Sequence, residues 1–172
     1  EALCHTFASL GTGGFSTRNA SVGAFNSPSV EVICAVFMIL AGVNFSLYFH
    51  LFTGNPEEFF HNSELKAYLK IVFVSTVLIA LSIYPIYGIG GGLRQSFFQV
   101  ASVITTTGFS TADYNAWPEF AKMVLFFLMF VGGCSGSTAG SIKVIRWLIL
   151  QKQAGMEAKR LLSPHGVFGI QL

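Results

Sequence analysis

One short Thr/Gly-rich turn is used twice in this chain. It first reads Gly11-Thr12-Gly13-Gly14-Phe15-Ser16-Thr17, and later Thr105-Thr106-Thr107-Gly108-Phe109-Ser110-Thr111. Thr12 aligns with Thr106, Gly14 with Gly108, Phe15 with Phe109, Ser16 with Ser110 and Thr17 with Thr111, without a gap. Each copy follows a short, mildly apolar segment, 2–10 or 95–104, and precedes a hydrophobic run led by Pro28 or Pro118. Self-similarity of this kind signals a repeated structural unit, in which both turns hold equivalent places.

The segments around the turns belong in a bilayer. Only 10% of residues are charged and 52% are hydrophobic, against about 25% charged in soluble domains. A membrane span needs about 20 apolar residues. The run from Pro28 to Phe52 meets that length as one helix, with Ser27 as N-cap and Pro28 at its first turn. A second span covers 67–88, with Asn62-Ser63-Glu64 opening its helix, Lys70 snorkelling near its start and Pro85 kinking or stopping it. Gly88 to Gly92 reads as a tight re-entry turn. Segments 2–10 and 95–104 are too short to span and read as half-helices.

After Pro118 a third run, 120–131, is interrupted by Gly132-Gly133-Cys134-Ser135-Gly136-Ser137-Thr138-Ala139-Gly140-Ser141 and resumes over 142–150. Lys143, Arg146, Lys152, Lys159 and Arg160 make the following segment the most basic. The positive-inside rule therefore puts 143–160 in the cytoplasm. Counting crossings back sets 53–66 inside and both Thr/Gly turns outside.

The resulting fold class is an all-α polytopic membrane protein built from repeated units of helix, re-entrant pore helix with filter loop, and helix, as in potassium channels. Residues 1–52 hold the pore helix, filter and second span of one repeat, and 53–66 a cytoplasmic loop. Residues 67–150 form a complete repeat with a broken last span, and 151–172 a cytoplasmic segment leading on through a turn at Ser163-Pro164-His165. With Glu1 in place of an initiator Met, the chain reads as a fragment of a longer membrane protein.

Some functions are excluded early. A net charge of +2, with no basic cluster interleaved with aromatics, argues against nucleic acid. Cys4, Cys34 and Cys134 stand at unrelated spacings and read as small buried hydrophobes rather than a disulfide or metal set.

Extended backbone at membrane depth survives only where it is buried in protein or lines a water-filled cavity. Returning from a half-helix as Thr/Gly backbone, it presents rows of carbonyl oxygens, which replace the hydration shell of a permeating cation. Glycine allows φ above zero, where other residues pay a steric penalty. The hydroxyls of Thr12, Thr106 and Thr107 are positioned to add ligands or brace the loop. The 132–141 block admits two readings. Gly132, Gly136 and Gly140 at four-residue spacing fit close helix packing, whereas the density of Gly, Ser and Thr fits a broken helix below the filter.

Together these words, with Gly132 to Arg146, resemble the Trk/Ktr/HKT superfamily of potassium transporters, and within it the bacterial TrkH-type membrane subunit, over essentially the whole chain. The resemblance implies four span–loop–span repeats around one pore, with Gly14 and Gly108 as filter glycines of the second and third. It implies that backbone from Gly11, Thr12, Gly13, Gly14 and Phe15, and from Thr105, Thr106, Thr107, Gly108 and Phe109, forms cation sites for K+. By the same resemblance, Gly132, Gly133, Cys134, Ser135, Gly136, Ser137, Thr138, Ala139 and Gly140 form an intramembrane gating loop above inner-mouth charges Lys143 and Arg146. It further implies a bacterial inner-membrane location, no cofactor beyond the transported K+, a homodimer, and a cytoplasmic nucleotide-binding regulatory subunit. Neither turn carries the Thr-Val-Gly-Tyr-Gly of potassium channels.

Two rivals stand. Gly133-Cys134-Ser135-Gly136 superficially fits a rhomboid-like intramembrane serine protease, which needs a histidine base at matching depth. His5, His50, His61 and His165 all lie in loops, at helix ends or in the short segment. A non-conducting structural helix bundle is the other rival, and it leaves the two matched turns without a purpose.

Overall fold

A helical hairpin forms the middle of the molecule, and the remaining elements pack around it. In the computed structural model, which describes residues 1–54 and 56–162, the element order is α1 (Ala2–Leu10), α2 (Pro28–Ala41), α3 (Phe45–Phe52), α4 (Pro56–His61), α5 (Ser63–Ile104), α6 (Glu119–Leu128) and α7 (Val144–Leu162). Short 3-10 turns occupy Ser21–Phe25 and Tyr114–Ala116. The described residues contain no strand beyond an isolated bridge between Val131 and Ile142.

The hairpin is α5. Asn62 starts it, its side chain accepting a bond from the Leu65 amide at 2.9 Å, as an N-cap should. The chain reverses at Gly88 alone, which takes φ 67° and ψ −173°. The expected re-entry turn over Gly88 to Gly92 is therefore shorter than its glycine content implied. Gly90, Gly91 and Gly92 are helical, so the re-entrant limb begins well before residue 95. Pro85, without an amide hydrogen, weakens the helix just ahead of the reversal. Gly92 then lies against the Ala80 carbonyl and Ile83, and Val72, Ile79 and Ile83 of the first limb share a buried core with Val100 and Ile104 of the second.

The first limb opens at Ser63, earlier than the 67–88 span expected. α5 is the described helix that by itself is long and apolar enough to cross a membrane, and only 28% of its most apolar window is buried. A soluble protein's core helix would be mostly covered. Phe73, Leu81, Ile89, Phe126 and Phe127 likewise leave apolar surface exposed, as a lipid environment permits.

The run from Pro28 to Phe52 is not one straight span. α2 and α3 meet at 92° across Gly42, Val43 and Asn44. Asn44 caps the new helix by accepting the Ser46 amide at 2.9 Å. A Cβ on Gly42 would run into the Tyr68 hydroxyl, and that hydroxyl donates to the Ile39 carbonyl at 3.2 Å. A side chain at Gly42 would therefore have no room beside the hairpin. Ser27 stands at the N-cap of α2 in extended conformation but makes no side-chain cap bond.

The connection 53–66 is more ordered than a polar loop, since it contains α4. His50 pairs with Glu58 at 2.7 Å, tying α3 to α4. α6 packs Ala121, Leu125 and Leu128 into the core that also holds Tyr68 and Trp117. The turn expected at Ser163-Pro164-His165 lies outside the described residues.

Candidate functional site

The two Thr/Gly turns have the same backbone design. α1 ends as the Gly11 amide donates to Phe7 O, and the re-entrant limb ends as the Thr105 amide donates to Ala101 O. The next residues, Thr12 and Thr106, take φ of 49° and 57°. The amides of Gly13 and Gly14 then turn back to Ala8 O, at 2.9 and 3.5 Å, and those of Thr107 and Gly108 to Ser102 O, at 3.0 and 3.3 Å. Gly14 and Gly108 follow with φ of 67° and 85°.

The glycines are where positive φ was expected. The threonines are a surprise, because a β-branched residue rarely accepts such a backbone. Their hydroxyls account for the exception. Thr12 Oγ1 donates to Thr138 O at 3.0 Å, and Thr106 Oγ1 accepts the Gly140 amide at 2.7 Å. Matching strained residues thus hold the same loop.

The turns also meet each other. A Cβ on Gly14 would run into the Thr107 carbonyl oxygen, so glycine is required there for close approach as well as for φ. Phe109 is buried in a cluster with Ala8, Val22, Ala35, Met38, Phe98 and Ala101, with its ring stacked on His5 at 5.7 Å. Its counterpart Phe15 is 81% exposed. The second turn is braced by buried hydroxyls: Thr105 Oγ1 contacts Thr107 Oγ1 at 2.8 Å, and Ser102 Oγ donates to Phe109 O at 2.6 Å. The first turn has Gly11, Gly13 and Ala8 at those places and lacks such bracing side chains.

Below the turns, the 132–141 block is not helical, which removes the helix-packing reading of its glycines. Its base is pinched shut where the Gly132 amide meets Ile142 O at 2.8 Å and the Val144 amide meets Gly133 O at 3.2 Å. The loop seats in the α2–α3 bend. Cys134 N donates to Gly42 O, Gly136 O accepts from Phe45 N, and Thr138 Oγ1 donates to both Leu10 O and Ala41 O, all between 2.8 and 3.2 Å. The bend and the loop each satisfy backbone groups that the other leaves without helical partners, the condition for broken helices at membrane depth.

Lys143 folds its ammonium onto the carbonyls of Ser137 and Ala139, while Arg146 is exposed on the first turn of α7. The expected inner-mouth pair therefore separates into a charge on the loop itself and one away from it.

Three structural partners were missed by sequence reasoning. The Gly42-Val43-Asn44 break carried a legible signal, since a glycine stop followed by an Asn cap marks a helix boundary. Glu64, read only as a helix opener, is 6% exposed and binds both flanks of the loop. Glu31, also buried, faces Arg94 at 2.9 Å without the alignment of a hydrogen bond, joining α2 to the re-entrant limb.

The sequence matches the family of TrkH cation transport proteins over residues 1–83 and 65–171, which together take in nearly the whole chain. The chain belongs to the TrkH family. It is 39% identical to the Trk system potassium uptake protein TrkH of Escherichia coli (strain K12) over 176 aligned residues, covering 100% of this chain and 36% of that protein. It is 33% identical to the TrkG protein of the same strain, again over 100% of this chain and 36% of the relative. The crystal structure of the potassium transporter TrkH from Vibrio parahaemolyticus superposes with a TM-score of 0.90 at 35% identity, over 99% of this chain and 38% of that one. The chain thus spans little more than a third of the length of the curated relatives it matches.

TrkH-family membership places the chain in a family of cation transport proteins rather than of enzymes. Geometry among the described residues also gives the protease rival no support. Among the described residues, His5 bonds Glu1 O and Ser16, His50 pairs with Glu58, and His61 bonds Glu57 O. None of these imidazoles is bonded to Ser135.

Proposed function

We propose that this TrkH-family segment supplies two filter turns and the gate of a potassium pathway across the bacterial inner membrane. The observation that carries the reading is the matched backbone of the two turns, from the Gly11 and Thr105 caps to the positive φ of Gly14 and Gly108. Carbonyls of Gly11, Thr12, Gly13, Thr105, Thr106 and Thr107 serve as cation ligands in place of water. The 132–141 loop obstructs the path beneath them, with Lys143 holding its carbonyls away from a passing cation. Both turns face outside and the basic segment 143–160 faces the cytoplasm. Residues 1–52 and 67–150 act as the second and third of four repeats. In the membrane the protein works as a homodimer, with a nucleotide-binding regulatory subunit at its cytoplasmic face. Names of the relatives, all Trk potassium uptake proteins, support the choice of ion.

The test is flux of K+, Rb+ and Na+ into liposomes carrying the full-length transporter. Gly108→Ser keeps space for its side chain, since a Cβ there meets nothing within 4 Å, but imposes φ 85° on a non-glycine residue. It is expected to lower K+ uptake and to raise Na+ uptake relative to K+. An unchanged ratio would remove Gly108 from the filter. Deleting 136–138 is expected to raise flux severalfold, because the shortened loop no longer reaches the Leu10 and Ala41 carbonyls. Low flux from a well-folded deletion would make the loop a packing element rather than a gate.

A further inference from the structure

A loop that must leave a pore needs a latch whose loss frees it as one body. Glu64 sits where such a latch belongs. Its Oε1 accepts the Ser135 amide at 2.6 Å and the Ile145 amide at 3.1 Å. These two amides flank the loop, one just inside its entry and one just after its exit. A glutamate in the first turn of a helix ordinarily points to solvent and interacts with the helix dipole. Glu64 instead is 6% exposed. Burying a carboxylate is costly unless charge-assisted bonds offset the desolvation, and the described bonds to this one come from the loop flanks. The loop is also held from a different side, where Lys143 Nζ binds the carbonyls of Ser137 and Ala139.

We propose that Glu64 is the latch of the 132–141 loop, a positioning residue that sets how often the loop leaves the pathway. This rests on the gate reading given above. A carboxylate accepts both amides through one oxygen, so release of either flank leaves buried charge under-bonded, and the two flanks let go together. Loss of one charge-assisted bond raises the released population about tenfold.

The reporters are thiols on two sides of the loop in the full-length transporter, with all other cysteines replaced by serine. Cys134 is fully buried, and Ala139→Cys in a Cys134→Ser background reads a second buried position. With Glu64→Ala, which removes both bonds, the two thiols are expected to react with N-ethylmaleimide more than about tenfold faster than in the parent, with K+ flux rising in parallel. Glu64→Gln, which keeps the volume and one acceptor oxygen, is expected to fall between, and it carries the test if the alanine variant does not fold. Faster labelling of Cys134 alone would mean a local cavity and would overturn the latch. So would unchanged labelling of both thiols, or increased flux without increased labelling. Faster labelling of both with no change in flux would uphold the latch and overturn the gate.

Discussion

Replacing Gly14 with alanine is expected to bring cation flux down to background, the largest functional effect of any single substitution considered for the two turns. Two costs combine at that position. The left-handed backbone, φ 67°, penalises an L-residue with a Cβ by about 1–2 kcal/mol. In addition, that Cβ would run into the Thr107 carbonyl oxygen of the other turn. Backbone cannot rotate out of the way as a side chain can, so the turns must separate and the ligand geometry is lost. Gly108 carries the first cost without the second, because a Cβ there meets nothing within 4 Å. Rubidium uptake should therefore fall further in Gly14→Ala than in Gly108→Ala. The reverse order would mean that the approach of the two turns has no part in conduction.

The largest stability effect is expected from Arg94→Met. Glu31 is 5% exposed and faces the Arg94 guanidinium at 2.9 Å. Removing one partner of a buried pair strands a charge and costs about 3–5 kcal/mol. Arg94 keeps about a third of its side chain exposed, 34%, so water reaches one end and the lower part of that range applies. Replacing both partners, as in Glu31→Gln with Arg94→Met, leaves no charge to strand. Thermal unfolding in detergent should show the single variant melting well below the parent and the double variant recovering most of the loss. If the double variant melts as low as the single one, the pair contributes packing rather than charge balance.

What the sequence made legible was whatever local chemistry determines. The two turns were visible because positive φ selects glycine at Gly14 and Gly108. Their shared frame was visible because the same residue types recur in order. The hairpin followed from one span-length apolar run and a half-helix, and the unwound 132–141 block from its density of Gly, Ser and Thr. The misses were of a different kind. Apolar character continues unbroken through Gly42 and Val43, so hydropathy alone does not register the 92° bend. Its partners are tertiary: the Tyr68 hydroxyl bonds Ile39 O, the Cys134 amide takes Gly42 O and the Thr138 hydroxyl takes Ala41 O. Thr12 and Thr106 were read as possible ligands or braces, but not as residues in left-handed backbone. Glu64 was least accessible, because its partners lie 71 and 81 residues away along the chain. A carboxylate near the start of a span has a sufficient local explanation, and only the folded structure replaces it.

The socket that receives Phe109 has a consequence for how the second turn takes its place. Its walls come from α1, the turn Ser21–Phe25, α2 and the re-entrant limb of α5, all translated earlier than the phenylalanine they receive. The same earlier turn steadies the residue that follows: the Gly23 amide donates to Ser110 O at 3.1 Å, and the Ser110 amide donates to Ser21 Oγ at 3.2 Å. Synthesis from the amino end therefore delivers every residue of the socket before Phe109 itself, so the later turn closes onto chain that has already been made.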